Sequence, residues 1–173
     1  IEPGVALDLT TTDEQGKPWD FNDLRQRDQA ERLLDEQRPM LLIGSPMCTA
    51  FSRLQQIGTN RPEGTKGWRD PVKMQESRAR ALVHLKFACH LYLRQMARGG
   101  YFIHEHPSSA DSWSEPCIQE VWAKLGVRRV ICDQCIFGQA TDAGNPVKKP
   151  TGFLTNSTET VSYTHLRAHE TYK

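Results

Sequence analysis

Two side chains that could act together in covalent catalysis each follow a short apolar run in this 173-residue sequence. Cys48 comes after the run 40–44 and a Ser-Pro turn, and Glu105 comes soon after the run 101–103. A thiol held at a strand end becomes a nucleophile when neighbouring N–H groups or a cation lower its pKa. A carboxylic acid partly removed from water stays protonated near neutrality and can act as a general acid. The two residues therefore suggest acid-assisted covalent chemistry, although each of them alone also fits a structural role.

Other cysteine and histidine patterns suggest further chemistry more weakly. Cys132 and Cys135 have the spacing of a redox pair or half a zinc site, but no second pair accompanies them. Cys89 lies on the apolar stripe of a helix and Cys117 follows a proline, so neither is an obvious further ligand. In the sequence His-Glu-His at 104–106, neighbouring side chains would point to opposite faces of a strand, which argues against a shared metal ion. We predict structural cysteines and no metal site, with redox work by the Cys-x-x-C pair as an open alternative.

The composition excludes several classes of protein. With 38% apolar and 25% charged residues, the chain suits one globular domain rather than a coiled coil, collagen or a disordered segment. A net charge of +1 argues against nucleic-acid binding by bulk charge but leaves room for a local basic groove. No apolar run approaches the roughly 20 residues of a membrane helix. Five cysteines, an odd number, favour a reducing intracellular compartment, the nucleus included.

The elements that must position Cys48 and Glu105 follow from periodicity and turn residues. Strand-like runs lie at 5–10, 40–44, 101–103, 129–132 and 147–156. Helical patterns lie at 24–37, 74–98 and 115–125, and a long exposed loop is expected at 55–73. This alternation predicts an α/β fold: a partial doubly wound, Rossmann-like, mostly parallel sheet with helices on both faces.

The crossover rule makes this prediction specific for the candidate site. A right-handed connection through the helix 74–98 would place the strands 40–44 and 101–103 side by side and parallel. Their carboxyl ends then meet at the edge where open α/β sheets bind ligands. We expect Cys48 and Glu105 to converge within about 10 Å of each other, with Asp8 near the same edge.

Several blocks of the sequence resemble one enzyme family. Residues 45–52, Ser-Pro-Met-Cys-Thr-Ala-Phe-Ser, resemble the Pro-Cys-Gln-x-Phe-Ser nucleophile loop of DNA cytosine-5 methyltransferases, and residues 102–107 are similar to that family's Glu-Asn motif. The resemblance covers roughly residues 3–157. Met47 stands where the family has Pro, Thr49 where it has Gln, and His106 where it has Asn. The family's Gly-rich cofactor loop and target-recognition domain are not recognisable in this sequence.

The resemblance implies a function and a set of roles. It implies S-adenosylmethionine-dependent methyl transfer to C5 of cytosine in DNA, with Cys48 as the nucleophile and Glu105 acting on N3 of the base. The residues it implies for cofactor binding are Asp8, Asp20 and Pro46, and those for nucleic-acid binding are Ser52, Arg53, Lys149 and Thr151. One alternative is a non-catalytic nucleic-acid or partner-binding module of a polyprotein. The other is an unrelated α/β enzyme that uses Cys48 or the Cys-x-x-C pair.

The carboxyl-terminal residues form a separate segment by their composition. Residues 162–171, Ser-Tyr-Thr-His-Leu-Arg-Ala-His-Glu-Thr, have no apolar period and resemble a translated sequencing adapter. We therefore divide the chain into a methyltransferase-like part, 1–157, and a non-native or disordered tail, 158–173. Deletion of residues 161–173 is expected to leave the melting temperature essentially unchanged.

Overall fold

The protein is described by a computed structural model that covers residues 4–53, 55 and 61–161. Helices α1 (Leu24–Gln37), α2 (Pro71–Ala97) and α3 (Pro116–Trp122) alternate with strands β1 (Leu41–Gly44), β2 (Tyr101–Pro107) and β3 (Arg128–Asp133), and strand β4 (Pro150–Thr155) follows β3. Short 3-10 turns lie at Thr49–Phe51, Asp111–Ser114 and Gln134–Phe137. Residues 162–173 of the predicted tail and residues 56–60 of the predicted loop lie outside the described residues. Within the described ranges, none of the helices combines the length and the apolar character needed to cross a bilayer.

Capping residues set where the two long helices begin. The Asp23 side chain accepts a hydrogen bond from the N–H of Arg25 at the start of α1. Asp70 accepts from the N–H groups of Val72 and Lys73, and Pro71 occupies the first position of α2. Helix α2 therefore begins three residues before the predicted start at 74, because its cap precedes the first apolar residue of the periodic pattern.

The sheet is mixed, with the strand order β1-β2-β4-β3. Strands β1 and β2 are adjacent and parallel, from Leu41 opposite Tyr101 to Gly44 opposite His104, which confirms the predicted pair. Strand β4 is antiparallel to both of its neighbours, so the prediction of a mostly parallel sheet is wrong. The reason is the connection between β3 and β4, which holds a 3-10 turn and a loop but no crossover helix. The α/β class itself is confirmed.

Helices α2 and α3 pack on one face of this sheet. The main core joins Leu85 and Tyr92 of α2, Phe102 of β2, Ile118 of α3 and Leu154 of β4. Helix α1 lies beside α2 in a second cluster that includes Trp19, Ala30, Leu34, Phe87 and Leu91. Ile43, which points away from the main core, is 66% exposed. The helices α1 to α3 thus leave the second face of β1 uncovered, in contrast to the expected helices on both faces.

The largest differences from the predicted strands are at 101–103 and at 5–10. Strand β2 continues beyond 103 to Pro107, because β4 pairs with its second half. Residues 5–10 do not form the predicted strand. Instead, Asp8 accepts hydrogen bonds from the backbone N–H groups of Thr10 and Thr11 and from the Thr10 hydroxyl, at 2.6 to 3.1 Å. A side chain that bonds its own downstream backbone stabilises a turn in place of sheet pairing.

Candidate active site

The loop after β1 is attached to β2 by two hydrogen bonds. The Ser45 hydroxyl donates to Oε2 of Glu105 at 2.5 Å. Nε2 of His106 donates to the Pro46 carbonyl oxygen at 2.8 Å. Because Glu105 and His106 are consecutive residues of one strand, they reach Ser45 and Pro46 from opposite faces of the sheet. The parallel pairing of β1 and β2 thus brings the predicted nucleophile loop to the predicted acid.

Cys48 lies two residues beyond this attachment. It is a free, half-buried thiol at the start of the 3-10 turn Thr49–Phe51. Its carbonyl accepts a hydrogen bond from the N–H of Phe51 at 3.0 Å, and the Phe51 ring is completely buried. Both sides of Cys48 in the chain are therefore fixed, by the Pro46 carbonyl before it and by the buried ring after it. The expected convergence of Cys48 and Glu105 within about 10 Å stays a prediction.

Two buried imidazoles lie beneath the loop. Nδ1 of His104 is 3.1 Å from the Tyr92 hydroxyl, and no hydrogen-bond partner for its Nε2 is found in the described part of the chain. The ring centroids of His104 and His106 are 4.7 Å apart. Burial lowers the pKa of His104 far below its ordinary value, and that of His106 in the same direction. Both rings are therefore neutral near pH 7.

A glycine at the end of β1 makes room for this arrangement. Gly44 pairs with His104 across the parallel strands. A Cβ atom at this position would collide with the Tyr92 hydroxyl, which bonds His104. The continuous apolar run thus ends in a glycine because a buried tyrosine passes over the strand at that point.

A cavity of about 320 Å³ opens between the amino-terminal residues, the loop after β1 and helix α2. Its lining combines apolar, acidic, basic and amide side chains: Leu9, Asp20, Asn22, Met47, Lys73, Glu76, Ser77, Arg80 and His84. Asp20 accepts hydrogen bonds from the backbone and side-chain N–H groups of Asn22, at 3.0 and 2.8 Å. These bonds, with His84 nearby, lower the pKa of Asp20 and keep its carboxylate ionised.

The three predicted cofactor residues occupy different positions relative to this cavity. Asp20 lines it, whereas Asp8 lies in the exposed turn beside Leu9, which also lines it. Hydrogen bonds from Thr10 lower the pKa of Asp8. Pro46 uses its carbonyl oxygen to accept from His106, and the next residue in the chain, Met47, reaches the cavity wall. Two residues of the cavity wall are thus neighbours of predicted site residues in the chain: Leu9 follows Asp8, and Met47 precedes Cys48.

The four predicted nucleic-acid residues are not equally accessible. The Arg53 side chain is 74% exposed and forms an ion pair with Asp111 at 3.2 Å. Lys149 is exposed and Ser52 is half-buried. Thr151 is fully buried and donates its hydroxyl to the carbonyl of Lys149 at 3.2 Å. Arg53 and Lys149 are thus the members of this set that a phosphate could reach directly.

The other four cysteines are free thiols that differ in burial. Cys132 is buried and Cys135 is half-buried. A hydrogen bond with Cys117 and burial raise the pKa of the Cys89 thiol. In the described ranges, no group of three or more His, Cys, Asp or Glu side chains is placed to hold a metal ion.

Sequence reasoning missed three residues that hold the site in place. These are Ser45, which orients Glu105, Ser112, which bonds Nδ1 of His106 at 2.6 Å, and Tyr92, which bonds His104. Ser45 was already part of the nucleophile motif. Tyr92 and Ser112 carry no such signal, because only the packing of α2 and of the turn after β2 brings them to the imidazoles.

Comparison with known proteins adds no match. No family model, no curated protein and no solved structure matches this chain. The function of the chain is therefore inferred from its own residues and their geometry.

Proposed function

We propose that this chain is a methyltransferase-type module that transfers a methyl group from S-adenosylmethionine to C5 of cytosine in DNA, with Cys48 as nucleophile and Glu105 as acid. The observation that carries the proposal is the double attachment of the Cys48 loop to β2, by Ser45 to Glu105 and by Pro46 to His106. It brings the loop that bears the thiol and the strand that bears the acid to one edge of the sheet. Covalent attack assisted by an acid requires that proximity.

The proposed chemistry overcomes the low nucleophilicity of cytosine C5. Addition of the Cys48 thiolate to C6 would shift electron density through the ring to N3, where Glu105 would protonate or hydrogen-bond it, and the resulting enamine would be nucleophilic at C5. C5 would then take the methyl group from the sulfonium sulfur of S-adenosylmethionine, with S-adenosylhomocysteine as the leaving group. Loss of the C5 proton to water and release of N3 by Glu105 would expel the thiolate and restore the ring. The Ser45 hydroxyl donates to Oε2 of Glu105, so in this proposal Oε1 is the oxygen that would act on N3. Ser45 therefore orients the acid.

The cavity beside the loop fits the cofactor in its chemistry. Its volume of about 320 Å³ is at the lower end of the usual range for small-molecule sites. Asp20 can accept a hydrogen bond from a ribose hydroxyl or from an adenine amine, and Lys73 and Arg80 can pair with a carboxylate. Met47 joins this cavity to the nucleophile loop. When bound there, S-adenosylmethionine would supply the methyl group that C5 accepts.

The DNA contacts in this proposal are local rather than a product of net charge. Arg53 can exchange Asp111 for a backbone phosphate, since its side chain is mostly exposed. Lys149 lies beside the start of β4, at the sheet edge where β1 and β2 end. A target base must leave the duplex to reach Cys48, which costs a few kcal/mol that contacts in the site must offset.

A non-catalytic nucleic-acid or partner-binding module is the second candidate. The observation that favours it is the position of Asp8, which is bound within an exposed turn of its own rather than at a strand end. A chain that had lost cofactor binding would keep Arg53 and Lys149 exposed while the cavity lost its role. It would bind DNA without forming a covalent product.

Trapping on DNA that contains 5-fluorocytosine distinguishes the candidates. The full chain with S-adenosylmethionine should form an adduct that survives denaturing electrophoresis, because fluorine at C5 blocks release of the thiol. Cys48→Ser should abolish the adduct, and Cys135→Ser, a change at another half-buried thiol, should leave it intact. Glu105→Gln should slow methyl transfer by about 10²-fold or more. A mobility shift without any adduct would contradict catalysis and support the binding module.

A further inference from the structure

We propose that His106 is a positioning residue that fixes the location of the Cys48 thiol through the Pro46 carbonyl. The inference extends the proposed function, since it assigns a role in the same site to a residue outside the predicted catalytic, cofactor-binding and nucleic-acid-binding sets. It rests on an imidazole with no exposed surface that has hydrogen-bond partners on both of its nitrogens.

The partners of His106 determine its tautomer. A carbonyl oxygen can only accept, so the nitrogen that faces Pro46, Nε2, carries a hydrogen. In a neutral ring, Nδ1 then has a lone pair and accepts from the Ser112 hydroxyl at 2.6 Å. Ser112 is itself fully buried, in the short turn that follows β2. The serine thus orients the ring so that its single N–H points at the loop.

The rings around His106 prevent it from turning away. His104 lies on one side with ring centroids 4.7 Å apart, and the rings of Phe51 and Trp113 lie at 6.0 and 6.4 Å. Phe51 belongs to the turn that begins at Cys48. His106 therefore holds the loop in two ways: it donates a hydrogen bond to Pro46, before Cys48, and it packs against Phe51, after Cys48.

The hydrogen bond from His106 is important for the loop because its acceptor belongs to a proline. Proline has no N–H, so its carbonyl oxygen is its one strong backbone hydrogen-bonding group. The other attachment of the loop is the exposed bond from Ser45 to Glu105, where water can compete. The bond from His106 is less accessible to water, since the imidazole is fully buried and Pro46 is half-buried, and it is therefore the firmer of the two contacts that hold the Cys48 loop to β2.

The test compares three substitutions at or near His106 by two independent measurements. The first is the rate at which iodoacetamide alkylates Cys48, read by peptide mass, with Cys135 as the internal reference thiol. The second is the rate of adduct formation on 5-fluorocytosine DNA. His106→Leu removes the donor to Pro46, His106→Gln keeps an N–H near the position of Nε2, and Ser112→Ala removes the group that sets the tautomer.

His106→Leu should raise Cys48 alkylation relative to Cys135 about fivefold, because one shielded hydrogen bond no longer holds the loop. It should slow adduct formation by about 10²-fold through misplacement of the thiol. His106→Gln should restore both rates to near those of the unmodified protein. Ser112→Ala should also raise the alkylation rate of Cys48 and slow adduct formation, but by smaller factors than His106→Leu. His90→Leu, at an exposed histidine of α2, is the matched control and should change neither.

Two results would overturn the role of His106. One is a folded leucine variant with unchanged alkylation of Cys48, and the other is equal impairment by leucine and glutamine, which would indicate packing alone. If the leucine variant does not fold, Ser112→Ala decides by the same two rates, and unchanged rates would reject the proposal. Absence of any adduct from the unmodified protein would reject the methyltransferase function, while the alkylation rates would still test the positioning role.

Discussion

The edge that bears Cys48 and Glu105 differs from the Asp8 turn of the amino-terminal segment, residues 4–22, in how far its hydrogen bonds reach along the chain. At the edge, the bonds from Ser45 to Glu105 and from His106 to Pro46 each join residues 60 positions apart. In the amino-terminal segment, Asp8 bonds residues two and three positions further on. The edge therefore exists only when β1, α2 and β2 are folded together, whereas the Asp8 turn needs only its own few residues.

The two regions also differ in their charge state. At the edge, His104 and His106 are buried and neutral. In the amino-terminal segment, the buried carboxylate of Asp13 is ionised and accepts hydrogen bonds from Gln26 at 2.8 Å and from Arg25 at 2.7 Å. Hydrogen bonds from Gln26 and from the Lys17 N–H hold the pKa of Asp13 far below its usual range. One region thus depends on groups that must stay uncharged, and the other on a group that must stay charged.

The largest expected effect comes from the core beneath the edge. Phe102 is completely buried in β2 and its ring stacks on Tyr92 with centroids 4.8 Å apart. Phe102→Ala should lower the free energy of unfolding by about 3–5 kcal/mol in urea titration, because it removes a large side chain and leaves a cavity.

The matched change in the amino-terminal segment is Val5→Ala, since Val5 is 60% exposed. Its effect on the free energy of unfolding should stay within about 0.5 kcal/mol. Comparable losses in the two variants would mean that the start of the amino-terminal segment is as tightly coupled to the fold as the edge is.

The same difference explains what could be predicted from the sequence. The parallel pair β1–β2 followed from two apolar runs joined by a long helix, since a right-handed crossover leaves few other arrangements. Residues 5–10 have a similar apolar content, but Asp8 and the two threonines after it form a turn by local hydrogen bonds that no periodicity reveals. The antiparallel direction of β4 was missed because the residues of the loop before it do not indicate whether the next strand runs parallel or antiparallel to its neighbours. Tyr92 and Ser112 were missed because only tertiary packing brings them to the imidazoles.

Acid should destabilise the two regions in separate pH ranges. A buried histidine with a lowered pKa takes up its proton only on unfolding, so its contribution to stability is complete above the unfolded pKa of about 6.5 and is lost as the pH falls below it. Each of His104 and His106 should add up to about 1.4 kcal/mol per pH unit to this loss. Asp13 acts in the same direction but in a lower pH range: its lowered pKa stabilises the fold above about pH 4, and that stabilisation is lost as the pH falls below it.

Urea unfolding at several pH values between about 7.5 and 4.5 measures the histidine part alone. His104→Asn keeps a side-chain amide that can bond the Tyr92 hydroxyl but has no proton to gain in this range. It should reduce the pH dependence of the unfolding free energy in this range. A variant with the same pH dependence as the unmodified protein would show that His104 does not account for the acid sensitivity.

The smallest expected effect on stability, and the sharpest test of the amino-terminal segment, comes from two of its exposed carboxylates, Asp8 and Asp20. Asp20 lines the cavity, whereas Asp8 is engaged by Thr10 and Thr11. Asp20→Asn should weaken binding of S-adenosylmethionine about tenfold in equilibrium dialysis, as expected for one charged hydrogen bond, with an unchanged unfolding midpoint.

Asp8→Asn and the charge-matched control Asp28→Asn, at an exposed position of α1, should leave that binding within about twofold, which corresponds to less than one ordinary hydrogen bond. Equal weakening by the Asp8 and Asp20 changes would place both carboxylates on the cofactor and would require the Asp8 turn to open on binding. Weakening by Asp8→Asn but not by Asp20→Asn would reject the cavity as the cofactor site, because Asp20, which lines the cavity, would then make no contact with S-adenosylmethionine. The comparison of the two carboxylates therefore decides whether the Asp8 turn, which is held by local hydrogen bonds, contributes to the same site as the sheet edge that bears Cys48 and Glu105.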